Sequence, residues 1–166
     1  MKYFEIYKNK TILITGGAGA IGSNLSRKLA ECGAEKVIIL DDLSASYEWN
    51  VPNLPNVLFV KGSITNDIDL KRVFHEKPDY IFHLAAQAIV LNSYNDPLNT
   101  INTNTIGTAN LLEALRRVNH KCISIMITSD KCYYNDERTY GYLETDRLGG
   151  KDPYSASKGA INAAVK

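Results

Sequence analysis

A short apolar run followed at once by glycines is the feature that most limits what this chain can fold into. The run Thr11–Thr15 (TILIT) is typical of a buried strand, and glycines follow at Gly16, Gly19 and Gly22. Glycine permits a tight turn and a close approach of the backbone to a bound group, while the next helix offers free N–H groups to an anion. The pattern therefore predicts a strand, an anion-binding turn and a helix that ends near Gly33.

A second apolar run, Lys36–Leu40, ends at Asp41, about 20 residues beyond the glycines. A carboxylate at this point of a βαβ unit can accept hydrogen bonds from the ribose hydroxyls of a dinucleotide. Together these features predict a dinucleotide-binding unit: a strand, the glycines, a helix, a second strand and the acid at its end. Within its helix, Ile21, Leu25 and Leu29 share one face.

Apolar runs continue to alternate with helical patterns along the chain, which favours a parallel sheet covered by helices on both faces. Further strands are predicted over residues 57–60, 80–84 and 122–127, and further helices from about Thr65, from Asp96-Pro97 and from about Pro153. The predicted fold class is α/β, a Rossmann-like doubly wound sheet with strand order 3-2-1-4-5. We expect residues 1–166 to form one cofactor-binding domain without a second domain, and residues 135–152 to form a polar loop.

The segment from Asp152 to Lys158 sets a tyrosine and a lysine four residues apart at the start of the last helix. Asp152 can cap that helix, Pro153 suits its first turn, and Tyr154 and Lys158 fall on the same face. A free tyrosine has a pKa of about 10, so its use as a base at neutral pH requires a neighbouring cation such as Lys158. The same Y-x-x-x-K spacing also occurs in ordinary amphipathic helices.

Charge and cysteine content exclude several classes of protein. Nineteen Lys and Arg against 18 Asp and Glu leave a net charge of +1, which does not favour nucleic acid or a membrane surface. Cys32, Cys122 and Cys132 lack C-x-x-C spacing, so we expect neither a disulfide framework nor a metal site. No run has the length of a signal peptide core or a membrane span, and a reducing cytoplasm is the expected location.

These motifs resemble the extended short-chain dehydrogenase/reductase family of nucleotide-sugar enzymes over essentially the whole chain. The segments that carry the resemblance are Thr15–Gly22, Asp41–Ser44, His83–Ala86, Asn104–Thr108 and Tyr154–Lys158. The resemblance implies NAD as cofactor, held by Gly16, Gly19, Ala20, Ile21, Gly22, Asp41, Ser63, Ile64, Leu84, Ala85, Ala86, Asn104, Tyr154 and Lys158.

Within the family, Thr128–Tyr133 and Leu148–Tyr154 look most like 4,6-dehydratases that act on CDP-glucose. The implied catalytic residues are Ser129, Asp130, Lys131, Tyr154 and Lys158. Tyr154 would take the proton of the sugar 4-hydroxyl, Ser129 would hydrogen-bond the same oxygen, and Asp130 would protonate the hydroxyl that leaves carbon 6. Lys131 stands where dTDP-sugar dehydratases carry a glutamate base, so its role stays open. The alternatives are a nucleotide-sugar 4-epimerase or reductase, and a shortened non-catalytic NAD-binding or assembly module.

Several of these residues also have purely structural interpretations. Ser129 and Asp130 can end a strand and cap a turn, and Asn104 can be a polar residue on a helix face. His83 is expected to be a packed residue at a strand end rather than a catalyst. Ser63 replaces an aspartate that contacts adenine in relatives, which puts one adenine hydrogen bond in doubt.

Family members continue well past the Y-x-x-x-K helix, with further strands and a smaller domain that holds the nucleotide-sugar. This chain stops at Lys166, so a CDP-glucose-like substrate is expected only for a full-length form. We expect the chain alone to bind NAD weakly and to show no turnover. An uncovered edge beside the fifth strand also predicts self-association.

Overall fold

Five parallel strands form a single sheet in the computed structural model, which describes residues 2–165 of the chain. The sheet order is β3-β2-β1-β4-β5, with β1 at Thr11–Thr15, β2 at Lys36–Asp41, β3 at Val57–Lys61, β4 at Tyr80–His83 and β5 at Ile123–Met126. This order confirms the predicted Rossmann-like fold class. The last two strands each end one residue earlier than the apolar runs predicted.

Six α-helices accompany the strands among the described residues: α1 at Ala20–Glu31, α2 at Asp67–His75, α3 at Val90–Asn95, α4 at Pro97–Ile101, α5 at Thr108–Arg116 and α6 at Pro153–Val165. The helix predicted from Asp96-Pro97 is interrupted by a π-helical turn, Asn102–Gly107, between α4 and α5. Short 3₁₀ turns occupy Lys2–Tyr7, Glu48–Asn50 and Asp130–Cys132.

The chain divides into two compact units. The sheet unit comprises residues 2–85 and 110–127, and the helical unit comprises residues 86–109 and 128–165. The sheet unit therefore contains all five strands with α1 and α2, while α3, α4 and α6 belong to the helical unit.

The sheet unit is built around two apolar clusters on opposite faces of the sheet. Alternate residues of β1 and β2 enter different clusters, because successive side chains of a strand point to opposite faces. Ile12 and Ile14 join one cluster with Leu29 of α1, while Leu13 joins the other with Leu70 of α2. Helices therefore cover both faces of the sheet, as the doubly wound pattern predicted.

The apolar face of α1 is only partly buried. Leu29 is fully buried and Leu25 packs against the same core cluster, whereas Ile21 is 72% exposed. The small residues Gly22, Ser23 and Ser26 of the helix are also buried. At Gly22 the helix approaches the glycine turn too closely for any side chain.

Most of the buried side chains in the helical unit are polar. Its α6 packs against α3, α4, the π-helical turn and the Asp130–Cys132 turn. Ile161 is buried there, but so are Thr100, Asn104, Ser157 and Lys158. Buried polar groups require hydrogen-bond partners, and the partners found here place several of the candidate site residues.

Candidate active site

The glycine turn of the sheet unit requires glycine at two positions for steric reasons. Gly16 has a left-handed φ of +69°, and a Cβ there would lie 2.7 Å from the backbone nitrogen of Ala85. A Cβ on Gly22 would lie 2.3 Å from the Gly16 carbonyl oxygen and 2.6 Å from the Gly17 Cα. These contacts join the turn to the ends of β4 and α1, so only glycine permits this packing.

Gly19 stands at the N-terminus of α1 in a conformation open to any residue (φ −70°, ψ 174°). A Cβ there would meet only the Gly16 carbonyl oxygen, at 3.3 Å. In the part of the chain that the structure describes, no side chain caps this N-terminus, and the first turn carries no acidic residue. Ala20 and Ile21 are exposed here, so the end of α1 is suited to an anion.

Asp41 ends β2 and is buried, and its carboxylate is already engaged by the chain. One oxygen accepts the backbone N–H of Ala18 at 2.9 Å. The other accepts the backbone N–H of Leu43 at 2.9 Å and the hydroxyl of Ser46 at 2.7 Å. Asp41 is therefore held in a fixed orientation beside the glycine turn.

The remaining cofactor candidates of the sheet unit lie at the ends of β3 and β4. The Ser63 hydroxyl shares a hydrogen bond with the Thr65 hydroxyl at 3.0 Å, so its side chain has a local partner. Ile64 is buried in the core, which leaves only its backbone for a ligand. The Leu84 backbone N–H donates to the Thr15 carbonyl at 3.1 Å, and the Ala85 backbone N–H donates to the Thr15 hydroxyl at 3.3 Å.

In the helical unit, α6 begins as the sequence predicted. The Asp152 carboxylate accepts hydrogen bonds from the Ser155 backbone N–H at 2.9 Å and from the Ser155 hydroxyl at 2.6 Å. Tyr154 is half-buried and Lys158 is buried, with the Lys158 Nζ 5.8 Å from the centre of the Tyr154 ring. Burial lowers the pKa of the Lys158 ammonium below its ordinary value. The helix thus presents a phenol with a cation beside it.

Ser129, Asp130 and Lys131 form a single turn in the same unit. The Ser129 hydroxyl donates to the Asp130 carboxylate at 3.1 Å, and that carboxylate also accepts the Lys131 backbone N–H at 3.0 Å. Asp130 and Lys131 are exposed. The turn packs against α6, where a Cβ on Gly159 would lie 3.4 Å from the Cys132 carbonyl oxygen. The structure therefore brings all five predicted catalytic residues into one unit.

Asn104 lies on the π-helical turn and is completely buried. Its side chain accepts the backbone N–H of Gln87 at 2.8 Å and donates to the Gln87 carbonyl at 3.1 Å and to the Ser157 hydroxyl at 2.9 Å. Asn104 thus links the segment after Ala86 to α6. π-helical turns inside α-helices are frequent at functional sites.

Comparison with known proteins assigns the chain to a family. Residues 13–166 match the family model described as GDP-mannose 4,6 dehydratase. The chain belongs to this family. The match agrees with the resemblance to extended short-chain dehydrogenases/reductases of nucleotide-sugar metabolism that the motifs indicated.

Individual relatives include both dehydratases and epimerases. The chain is 37% identical to a CDP-glucose 4,6-dehydratase of Salmonella typhimurium, over 93% of this chain and 44% of that protein. It superposes with a TM-score of 0.90 on an epimerase of Methanothermobacter thermautotrophicus, at 40% identity, covering 99% of this chain and 49% of that one. It also superposes with a TM-score of 0.81 on a Thermus thermophilus UDP-glucose 4-epimerase solved in complex with NAD. The identity is 34%, over 93% of this chain and 49% of that one. The chain thus spans about half the length of the relatives it matches.

The described residues were also compared with the requirements of a metal site and of a membrane-spanning helix. Within residues 2–165 there is no group of three or more His, Cys, Asp or Glu that could hold a metal ion. Over the same residues, the helices are too short or too polar to cross a membrane.

The sequence did not predict that Gln87 and Ser157 bond the Asn104 side chain. Gln87 has no spacing that marks it, whereas Ser157 lies inside the Tyr154–Lys158 motif. His83 behaves as expected, since its Nδ1 shares a 2.7 Å hydrogen bond with the Thr15 hydroxyl and it is buried. Cys132 is buried, and burial raises the pKa of the half-buried Cys122 to about 11.

A cleft of about 340 Å³ opens beside the Ser129-Asp130-Lys131 turn within the helical unit. Asp130 and Lys131 line it together with residues of the 135–152 segment, among them Arg138 and Tyr142. The Arg138 guanidinium lies 4.1 Å from the centre of the Tyr142 ring and pairs with Asp146. The loop predicted to be merely polar is therefore ordered by cation–π and ionic contacts into one wall of a cleft.

Proposed function

We propose that this chain is the NAD-binding portion of a nucleotide-sugar 4,6-dehydratase. The observation that carries the proposal is the Ser129-Asp130-Lys131 turn packed on α6, which carries Tyr154 and Lys158. A hydroxyl, a carboxylate and a phenol with an adjacent ammonium supply the acid and base groups that oxidation at carbon 4 and loss of water require.

The sheet unit supports NAD as the cofactor. Gly19 leaves the N-terminus of α1 open and uncapped for a pyrophosphate, and Asp41 presents a fixed carboxylate to the adenosine ribose. A solved epimerase relative carries NAD, which agrees with this assignment. Gly19 and Asp41 would hold NAD, which would supply a hydride acceptor for sugar carbon 4 and, once reduced, a hydride donor for carbon 6.

Tyr154 is assigned the role of base for the sugar 4-hydroxyl. The nearby Lys158 ammonium stabilises the phenolate form by charge, and burial strengthens that interaction because it excludes water. Ser129 donates a hydrogen bond to the same sugar oxygen. Oxidation at carbon 4 then acidifies the proton at carbon 5, which prepares elimination.

Asp130 is assigned the role of acid for the hydroxyl that departs from carbon 6. Its carboxyl group is exposed on the cleft and accepts the Lys131 backbone N–H, and it has to carry a proton in order to act as an acid. When Ser129 donates its one hydroxyl proton to the sugar oxygen, its present bond to Asp130 is released. Lys131 lines the same cleft and is the candidate for abstraction of the carbon 5 proton. As a base it would have to be uncharged, so a substrate-bound environment must favour its neutral form.

A nucleotide-sugar 4-epimerase is the second candidate, because solved epimerases match the chain as closely as dehydratases do. An epimerase needs the oxidation at carbon 4 but no acid for water loss. Asp130 therefore separates the two functions. A shortened NAD-binding or assembly module without turnover is the remaining alternative.

The experiment is Asp130→Asn in a protein that carries these residues together with a nucleotide-sugar-binding half. With CDP-glucose, the variant should complete the first oxidation and then stall, holding reduced cofactor that is visible by its nicotinamide absorbance. Asp67→Asn, an exposed carboxylate on α2, is the matched control and should form product normally. An unchanged rate of 4-keto-6-deoxy product in Asp130→Asn would remove Asp130 from the mechanism, and formation of the carbon 4 epimer would favour the second candidate.

Three further expectations stay predictions for the chain alone. We propose that its residues form one cofactor-binding domain, that it binds NAD without turning over sugar, and that it self-associates. β5 pairs only with β4 among the described residues, and Ile123 in this strand and Ile127 directly after it are exposed. Light scattering across a dilution series measures self-association, and a monomer at all concentrations would contradict it.

A further inference from the structure

We propose that Arg138 is a positioning residue for the loss of water in the proposed reaction. It holds the ring of Tyr142 against the ring of Tyr133, which directly follows the Asp130–Cys132 turn. This inference rests on the proposed dehydratase function. It concerns a segment that the sequence predicted to be only a polar loop.

The loop that carries Arg138 begins and ends at the same turn. Tyr133 and Leu148 form an antiparallel bridge, and the Gly149 backbone N–H donates to the Cys132 carbonyl at 2.9 Å. Residues 133–148 therefore form a closed loop with both ends next to Cys132, the last residue of the turn.

Three side chains of this loop stack in a column. The Arg138 guanidinium lies 4.1 Å from the centre of the Tyr142 ring. That ring stacks on the Tyr133 ring, with 4.9 Å between the centres and 3° between the planes. Both contacts are favourable geometries, a cation over a ring face and a parallel aromatic pair. The column thus runs from a cation in the middle of the loop to the residue that closes the turn.

Arg138 is held in the column by charge as well as by stacking. Its side chain is largely buried and its guanidinium pairs with the Asp146 carboxylate, which also accepts the Leu143 backbone N–H at 2.7 Å. These two hydrogen bonds, from Arg138 first, lower the pKa of the Asp146 carboxyl, so the pair stays ionised at neutral pH. A planar guanidinium can bond a carboxylate and stack on a ring at the same time.

The column adds a side-chain anchor to a turn whose polar contacts are mostly internal. The Asp130 carboxyl group takes hydrogen bonds from the Ser129 hydroxyl and the Lys131 backbone N–H, which belong to the same turn. Such bonds fix the shape of the turn rather than its place. The Tyr133 backbone N–H donates to the Asp130 carbonyl at 3.1 Å, so a fixed Tyr133 ring restrains the residue that presents the acid.

The column reaches the groups assigned to water loss rather than those assigned to oxidation. Tyr154 and Lys158 lie on α6, whose start is fixed by the hydrogen bonds between Asp152 and Ser155. Loss of the column should therefore displace Asp130 and leave the tyrosine beside its lysine. A merely structural role of Arg138 would instead slow both steps together.

The first test uses the chain itself and measures hydrogen exchange at the Tyr133 amide. Arg138→Met removes the charge and the planar group but keeps a side chain of similar length. It should speed exchange at Tyr133 roughly three- to tenfold, the range expected for the loss of a stacked cation, and leave the Ser155 amide of α6 unchanged. Arg147→Met is the matched control, because Arg147 also lies over a tyrosine ring, 4.7 Å from the centre of Tyr134, but stands outside the column.

The second test follows both steps with CDP-glucose, in a protein that carries these residues together with a nucleotide-sugar-binding half. Arg138→Met should slow water loss on the order of 10- to 100-fold, the cost of displacing a reacting group by up to about 1 Å, and change the first oxidation less than about threefold. Reduced cofactor should then accumulate and be visible by its nicotinamide absorbance. Tyr142→Phe keeps the ring and should behave like the parent, whereas Tyr142→Leu should reproduce Arg138→Met even if that variant fails to fold.

Unchanged exchange at the Tyr133 amide in Arg138→Met, or the same increase in Arg147→Met, would overturn the coupling. Equal slowing of oxidation and water loss would also overturn the proposal, and so would equal losses in Tyr142→Phe and Tyr142→Leu. Absence of the 4-keto-6-deoxy product in the parent protein would contradict the proposed function itself. The exchange measurement would then still decide whether Arg138 restrains the turn.

Discussion

Replacing Gly22 with alanine should destabilise the protein far more than the same change at Gly19, although both glycines belong to one motif. A Cβ on Gly22 would lie 2.3 Å from the Gly16 carbonyl oxygen and 2.6 Å from the Gly17 Cα. Both neighbours are backbone atoms in the buried turn, so they cannot swing aside as the end of a long side chain could. Relief requires α1 to move away from the sheet.

The magnitude follows from these contacts. Overpacking a tightly packed site costs about 1–3 kcal/mol, and backbone clashes below van der Waals contact place Gly22→Ala near the upper end, about 3 kcal/mol. Gly19→Ala meets one atom at 3.3 Å, in an allowed conformation. Alanine caps the helix less well than glycine, but it also reduces the conformational entropy of the unfolded chain, and the two effects offset each other. The free energy of unfolding should therefore change by no more than about 1 kcal/mol.

Urea unfolding followed by circular dichroism measures both changes, and NAD titration of the same samples separates stability from binding. Gly19→Ala should unfold at nearly the parent midpoint yet bind NAD more weakly, because its Cβ projects into the open space at the N-terminus of α1. Gly141→Ala is a neutral control, since a Cβ there meets nothing within 4 Å. Equal destabilisation by Gly19→Ala and Gly22→Ala, or unimpaired NAD binding by Gly19→Ala, would refute this reasoning.

Two further predictions concern the helical unit. Asn104→Ala should destabilise it by about 2 kcal/mol, because the Gln87 N–H loses its acceptor and the Gln87 carbonyl loses a donor, while the Ser157 hydroxyl keeps its bond to the Tyr154 carbonyl. Asn110→Ala, which loses one 3.5 Å contact, should have little effect. Hydrogen exchange at the Gln87 amide measures this change, and equal protection in both variants would contradict it. Burial lowers the pKa of Lys158 in the folded protein below its ordinary value of 10.5. Between the folded and the unfolded pKa, the unfolded chain binds more protons than the folded one, so the contribution of Lys158 to the free energy of unfolding rises with pH. Lys158→Met should therefore unfold at higher urea concentration than the parent at neutral pH and lose this pH dependence, and a lower midpoint would show that the buried ammonium is stabilising.

The sheet was predictable because each of its strands carries its own signal. Ile12, Leu13 and Ile14 are apolar on both faces, which a strand covered by helices on both sides requires, and the chain alternates such runs with helical patterns. Asp152 and Pro153 marked the start of α6 because capping is a local interaction, and the structure shows the expected Asp152–Ser155 hydrogen bonds.

The rest depended on contacts that no local pattern encodes. Ile21 shares a helix face with Leu25 and Leu29 by spacing, but it is exposed whereas Leu29 is buried, and the close approach of α1 at Gly22 has no periodic signal. The short helix α3 and the π-helical turn have too few residues for a periodic signal. Gln87 gains its role only from Asn104, which is distant in sequence and brought near by the fold.

The measurement that tests the central claim most directly is a parallel titration of the chain with NAD and NADP. In the proposed function Asp41 accepts the ribose hydroxyls and repels a 2′-phosphate, and residues 42–56 contain no arginine or lysine to neutralise one. The account predicts tighter binding of NAD than of NADP in the parent chain, with the preference lost in Asp41→Ala. Tighter binding of NADP, or an unchanged preference in Asp41→Ala, would contradict it.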